Sequence, residues 1–290
     1  MRAKVAVLGL VVSLVVVLTP PAHVAQAQQV TLDAVLKRVG LALAILRGAQ
    51  EEDSLMMMEY WGSGTMRAMG PNGPGPESKI KYYGSIAYDV PGMRVDFTRT
   101  NPDGTTTREI HVVSGTHAWN EEGEIGGGLV PAHGRAIPAM DTVADRLLRL
   151  WIMPHGVYKT AVAAGANAKL TVQGNTAIIT FPLANGSKRI EAANVVVGPA
   201  AGTPVTLTLN PQLRPEKVEV RHGGRMIEMT YTEYGDYNDK DYKSDVQFPR
   251  RIVQKVDGQT VLDLTVERTN TYNPYVVMPV PDNVLKASPR

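Results

Sequence analysis

The chain has 290 residues and not one cysteine. That excludes a disulfide framework and a thiolate metal site, and with them an amino-terminal lipid carried on a cysteine. Long apolar runs are also missing, with one exception. Val5–Leu18 is apolar but broken by Gly9 and Ser13, and its 14 residues are too few to cross a bilayer comfortably. Arg2 and Lys4 precede it and the small-x-small triplet Ala25-Gln26-Ala27 follows. Residues 1–27 therefore read as a secretory signal peptide, cleaved near Ala27, and residues 28–290 as one exported, soluble, periplasmic domain. Charge of one sign is absent too. Cleavage removes Arg2 and Lys4 and leaves 28 basic against 28 acidic residues, which argues against nucleic acid as a partner.

Catalytic signatures are equally scarce. Gly62-Ser63-Gly64 and Ser114-Gly115 lie in or beside expected strands, not at the strand-to-helix turn of a nucleophile elbow. Gly126-Gly127-Gly128 has no Lys-Ser/Thr after it, so it reads as part of an irregular segment running to Pro138 and not as a phosphate cradle. Glu51-Glu52-Asp53 and Glu121-Glu122 read as exposed charge clusters. The nearest approach to a metal set is His111 and His117 with Glu109, Glu121, Glu122 and Glu124, where Glu109 and His111 share a strand face. No HExxH-type spacing accompanies them, and neither metal nor cofactor is expected. His133, His155 and His222 adjoin Gly or Pro, where solvated rings in turns are the expectation. The Tyr-rich stretch 231–245 reads as a strand end and polar hairpin more readily than as a sugar-binding loop.

What is present is period-two alternation. From Lys79 to Glu124, Ile80, Tyr82, Ile86, Tyr88 and Val90 alternate with polar residues, then Met93, Val95 and Phe97 do the same after a Pro91-Gly92 bend. That pattern predicts antiparallel strands with one buried face. Leu55–Met69 reads as the first strand and residues 70–78 as a loop, from their Gly and Pro content. Beyond Ala168 the candidate strands are Leu170–Gln173, Ala177–Pro182, Lys188–Val197, Val205–Leu209, Lys217–Arg221, Met226–Tyr234, Phe248–Val256 and Val261–Arg268. Gly174-Asn175, Asn185-Gly186, Gly223-Gly224 and Asp257-Gly258 supply turns between them. Thr31–Gly48 reads as an amphipathic helix capped by Thr31, and Asp141–Trp151 as a second, capped by Asp141 and ended by Met153-Pro154-His155-Gly156. The fold class is therefore mainly β (α+β): one antiparallel sheet with an amino-terminal and a mid-chain helix.

The punctuation of this sheet resembles a known family. Gly84, Pro91-Gly92, Arg94, Pro102-Asp103-Gly104, Val112-Val113, Gly115 and Trp119 follow its order, and Phe248-Pro249-Arg250-Arg251-Ile252, Gly258 and the segment Asn270–Pro281 match its carboxy-terminal half. The chain resembles the LolA/LolB-like superfamily of periplasmic lipoprotein carriers and their outer-membrane receptors. The resemblance implies a half-open β-barrel of about 11 strands whose open side is closed by the mid-chain helix as a lid. It also implies a non-enzymatic carrier, chaperone or sensor that holds lipid or lipoprotein acyl chains and meets an envelope membrane protein. The apolar cavity is then expected from Ile80, Tyr82, Ile86, Met93, Val95 and Phe97, with Leu147, Leu150 and Trp151 from the lid. A methionine-rich first strand (Met56, Met57, Met58, Met66, Met69) suits such a surface, or simply packs under the first helix. One departure stands out: the family's lid-latching Arg before the Pro is Val90 here, and Arg94 falls on the other strand face. An envelope interaction module on the same scaffold, or a hydrolase using His111 and His117, are the alternatives.

Overall fold

The computed structural model describes residues 31–70, 73–126, 130–183 and 202–287. The segments read as a signal peptide and as a strand over Lys188–Val197 lie outside them. Residues Thr31–Arg290 form one compact unit.

Helix α1 (Leu32–Ala42) begins where Thr31, in extended backbone, accepts a hydrogen bond from the Ala34 amide. It ends earlier than Gly48. Ala44 adopts φ 55°, its amide donates to Leu41 O, and that of Ile45 donates to Gly40 O. This is a Schellman closure built on alanine, with no glycine to announce it. The chain then makes a small ribbon, β1 (Leu46–Arg47) with β2 (Glu52–Asp53).

The large sheet starts with β3 (Met57–Gly70), β4 (Gly73–Ala87), β5 (Gly92–Thr100), β6 (Thr106–Ser114), β7 (His117–Gly126) and β8 (Val130–Pro138). Two helices follow, α2 (Val143–Ile152) and α3 (Pro154–Ala164). The sheet resumes with β9 (Lys169–Gln173), β10 (Thr176–Pro182), β11 (Pro204–Leu209), β12 (Pro215–His222), β13 (Arg225–Gly235), β14 (Phe248–Val256) and β15 (Gln259–Asn270). A short α4 (Asp282–Ala287) ends the described chain.

All thirteen long strands pair antiparallel in one sheet, ordered β8-β7-β6-β5-β4-β3-β15-β14-β13-β12-β11-β10-β9. The chain runs outward to one edge, crosses through α2 and α3 to the other edge, and walks back until β15 lies against β3. Thirteen strands exceed the expected eleven or so. Val130–Pro138 make a strand although the segment reads as irregular, and residues 73–78 extend β4, where Pro74 pairs with Met69 past a register shift. Among the described residues the sheet does not close, since β8 and β9 are its edges.

It does curl. Helix α2 touches β5, β6 and β7, while α3 touches β10 and β12. In a flat sheet the ten spacings from β7 to β10 would span about 48 Å. Residues Val143 to Ala164, laid end to end as helix, reach only about 33 Å. The sheet therefore wraps around the helices, and one continuous apolar core joins α1, α2 and α3 to both of its halves. A second, smaller core lies on the other face. There Val284 of α4 is wholly buried among Ile110, Val112, Trp119 and Ala136.

The mid-chain helix is thus two helices. Met153 is extended (φ −63°, ψ 156°) and Pro154 occupies the first turn of α3, a position where its missing N–H costs nothing. The same Pro-His-Gly that reads as a stop is a restart. Asp141 does not cap α2; it lies in a 3-10 turn, Met140–Thr142, ahead of it.

Candidate functional site

The concave face is built by strand parity. Tyr82 pairs with Phe97 and Ile86 with Met93, so Ile80, Tyr82 and Ile86 of β4 and Met93, Val95 and Phe97 of β5 all face the helices. Leu147, Leu150 and Trp151 of α2 lie against them in the same core. The structure brings all nine expected residues together, none more than 5% exposed, in a face that the helices fill. Gly84 sits among them because a Cβ there would lie 2.3 Å from the Tyr60 ring. That ring stacks on Tyr82 (centroids 5.5 Å apart) and tilts against Phe248 (5.3 Å), and the Tyr60 and Tyr82 hydroxyls are 3.2 Å apart. Burial pushes the Tyr60, Tyr88 and Tyr231 hydroxyls well up from their ordinary value, so all three stay protonated.

The two covering helices are fixed differently. Helix α3 is anchored deep inside. His155 lies in it, fully buried instead of solvated in a turn, with Nε2 donating to Gln247 O at 2.9 Å. Lys159 donates to Leu55 O at 2.8 Å and pairs with Asp53, and its ammonium lies 4.9 Å from the Tyr88 ring centre. The Tyr231 hydroxyl donates to Ile152 O at the junction of the helices. Helix α2 is tied at its rim. Arg146 donates to Val112 O (2.8 Å), Trp119 O (2.6 Å) and Asn120 Oδ1 (2.5 Å), binding α2 to β6 and β7. Asp145 accepts from His222 at 2.9 Å, binding the same turn to β12 on the opposite half.

Val90 is 63% exposed at the bend after β4, and Arg94 is buried on the far face, where Nε and Nη2 each lie 3.1 Å from Glu121 Oε2. Position 90 thus carries no cation, whereas Arg146 of α2 ties that helix to β6 and β7. Nothing in the pattern of β-strands pointed to it; an Arg at the second turn of an amphipathic helix reads as solvated.

Glu109 and His111 do share a face, 3.4 Å apart, with Arg99 3.2 Å from the same carboxylate group. Burial, then Arg146, Arg149 and Arg99, lowers the His111 pKa to about 4. His117 is on the opposite face: His111 shares parity with Val113 of the concave core, and His117 with Trp119 of the outer one. The two imidazoles cannot converge, and among the described residues no three His, Asp or Glu side chains are grouped to hold a metal. The side chain of His133 lies outside those described. Glu121, expected to be exposed, is buried against Arg94, with Trp119 Nε1 3.3 Å from its other oxygen.

Between α2 and the ends of β12–β14 a cleft of 390 Å³ opens to solvent. Asp145, Arg146, Leu148, Arg149 and Ile152 form its helical wall, and His222, Arg225, Ile227 and Val256 lie on the sheet side. No helix among the described residues is long and apolar enough to cross a membrane. No family model matches this chain, and no curated protein matches it either.

Proposed function

We propose that this chain is an exported, non-enzymatic carrier or sensor that holds the acyl chains of a lipid or lipoprotein against the concave face of a half-open barrel, with α2 as the movable cover. One observation carries the reading: the apolar concave face is covered not by the sheet closing on itself but by a short helix tied at its rim and separated from α3 by the non-helical Met153. The resemblance in strand punctuation to periplasmic lipoprotein carriers points the same way, and so does the signal-like amino terminus. An envelope membrane protein is then the natural donor or acceptor of the cargo.

The energetics are balanced. Helix α2 buries Val143, Leu147, Leu148, Leu150, Trp151 and Ile152. Exposing six such side chains costs about 12 kcal/mol, and burying one chain of about 16 methylenes returns about 13 kcal/mol. Apolar cargo can thus replace the helix at little net cost, whereas water alone cannot. Arg146 takes the latching role from the lid side, with Val90 standing at the family's latch position.

The test is uptake of a fluorescent polyene fatty acid by the mature protein, read as energy transfer from its tryptophans, Trp61, Trp119 and Trp151. Saturable uptake, lost in a Phe97→Asp variant with an unchanged circular-dichroism spectrum, supports the carrier. No uptake by the wild type at concentrations below micelle formation sinks it and favours an envelope interaction module whose core is permanently filled.

A further inference from the structure

The cleft beneath α2 carries more positive charge than its surroundings neutralise. Arg149 is half-buried and makes no hydrogen bond or ion pair to any described residue; its guanidinium lies 5.9 Å from the Tyr82 ring centre. Arg225, at the start of β13, has no ion pair among the described residues either. Arg146 spends its donors on two carbonyl oxygens and an amide, none of them charged. The one carboxylate on the cleft wall, Asp145, is taken by His222. Three guanidiniums without a bonded carboxylate thus line a single opening. Beside them, Leu148, Ile152 and Ile227 give the cleft an apolar wall that runs down to the concave core.

A half-buried arginine left unbonded is costly unless an anion completes it, because desolvation is not repaid by the protein itself. Arg presents a planar fork that fits a carboxylate or phosphate through two parallel bonds. The apolar wall next to it rules against a purely hydrophilic ligand, and the volume suits a headgroup and not a whole lipid.

We infer that this cleft is the headgroup subsite of an anionic amphiphile, a carboxylate or phosphate on one or two acyl chains, with Arg149 and Arg225 gripping the anion and Arg146 exchanging its carbonyl bonds for it as α2 lifts. The inference rests on the proposed acyl-binding face and adds the sign of the charge that the cargo carries. It also couples binding to opening, since the anion competes for the side chain that latches the cover.

Calorimetric titration of the mature protein separates the possibilities, with probes that share one chain length: palmitate, palmitoyl-lysophosphatidate, palmitoyl-lysophosphatidylcholine and 1-palmitoylglycerol, each below its micellar concentration, and inorganic phosphate alone. Palmitate and the lysophosphatidate should bind about tenfold or more tighter than the uncharged glycerol ester. In Arg149→Gln and in Arg225→Gln that preference should fall below about threefold while the glycerol ester binds as before. Arg225 lies on an exposed hairpin, so its variant tests the idea even if the one in α2 perturbs folding. Equal affinity for all four amphiphiles, or a preference untouched in both variants, overturns the anionic subsite and leaves the acyl carrier standing. Binding of phosphate alone, with no amphiphile bound, overturns both and makes the cleft a small-anion site.

Discussion

His155 makes the stability of this fold acid-sensitive in a calculable way. Its ring is fully buried in α3, with Nδ1 left without a partner and Nε2 bonded to Gln247 O. Burial, only partly offset by that bond and aided by Lys159, lowers its pKa from 6.5 to about 3. The folded chain therefore keeps the neutral ring where the unfolded chain has already taken up a proton. Above pH 6.5 the group contributes no pH dependence. Below it, stability falls by about 1.4 kcal/mol per pH unit until the folded pKa is reached. Between pH 7 and pH 5 that amounts to about 2 kcal/mol, and over the whole window to about 5 kcal/mol. Gln at position 155 retains an amide donor for Gln247 O and does not titrate. Urea unfolding at both pH values should show the wild type losing about 2 kcal/mol more than His155→Gln on acidification, equivalent to a midpoint shift of ~1 M. His111 titrates alike in both proteins and cancels. Equal acid sensitivity of the two proteins would refute the reasoning, whatever the absolute stability of the variant.

Three further outcomes follow from the packing. Gly84→Ala places a methyl group 2.3 Å from a Tyr60 ring that Tyr82 and Phe248 already confine, so thermal unfolding should report a loss of about 1–3 kcal/mol. Glu121→Gln removes one of the two carboxylates that face buried Arg94, leaving Asp96 at 3.5 Å, and should cost about 1–3 kcal/mol, whereas Arg251→Ala, which breaks the exposed pair with Asp263, should cost under about 1 kcal/mol in the same urea assay. Val284→Asp should detach α4 from β7 and β8, uncover Trp119, and raise binding of a hydrophobic dye without unfolding the sheet.

Much of the sheet was legible because alternation and turn chemistry are local. Phe248–Val256 reads to the residue, and the six strand residues assigned to the cavity share one sheet face, since parity from Ile80 to Phe97 needs only a correct register. What was missed depends on tertiary context. Residues 70–78 and 126–138 read as loop from their glycines and prolines, yet at the described positions 73–78 and 130–138 neighbouring strands supply partners that hold them in the ladder. Pro154 reads equally well as a stop or as a first-turn residue, and only packing against β10 and β12 decides for the second helix. His155 was assigned to water by its Pro and Gly neighbours and lies in the core instead. Arg146, Arg149 and Arg225 are far apart along the chain or on the polar side of a helical wheel. Their convergence on one cleft is set by how α2 crosses the curled sheet, which no periodicity encodes.

The central claim is that the covered concave face takes acyl chains, and the most direct measurement is the mass of the protein as purified from the cells that make it. Native mass spectrometry of the mature chain, followed by organic extraction of any adduct, should reveal a stoichiometric acyl-bearing anion, absent from a folded Leu147→Asp variant. A clean apo mass, unchanged after incubation with membrane lipids and lipopeptides, would contradict the account.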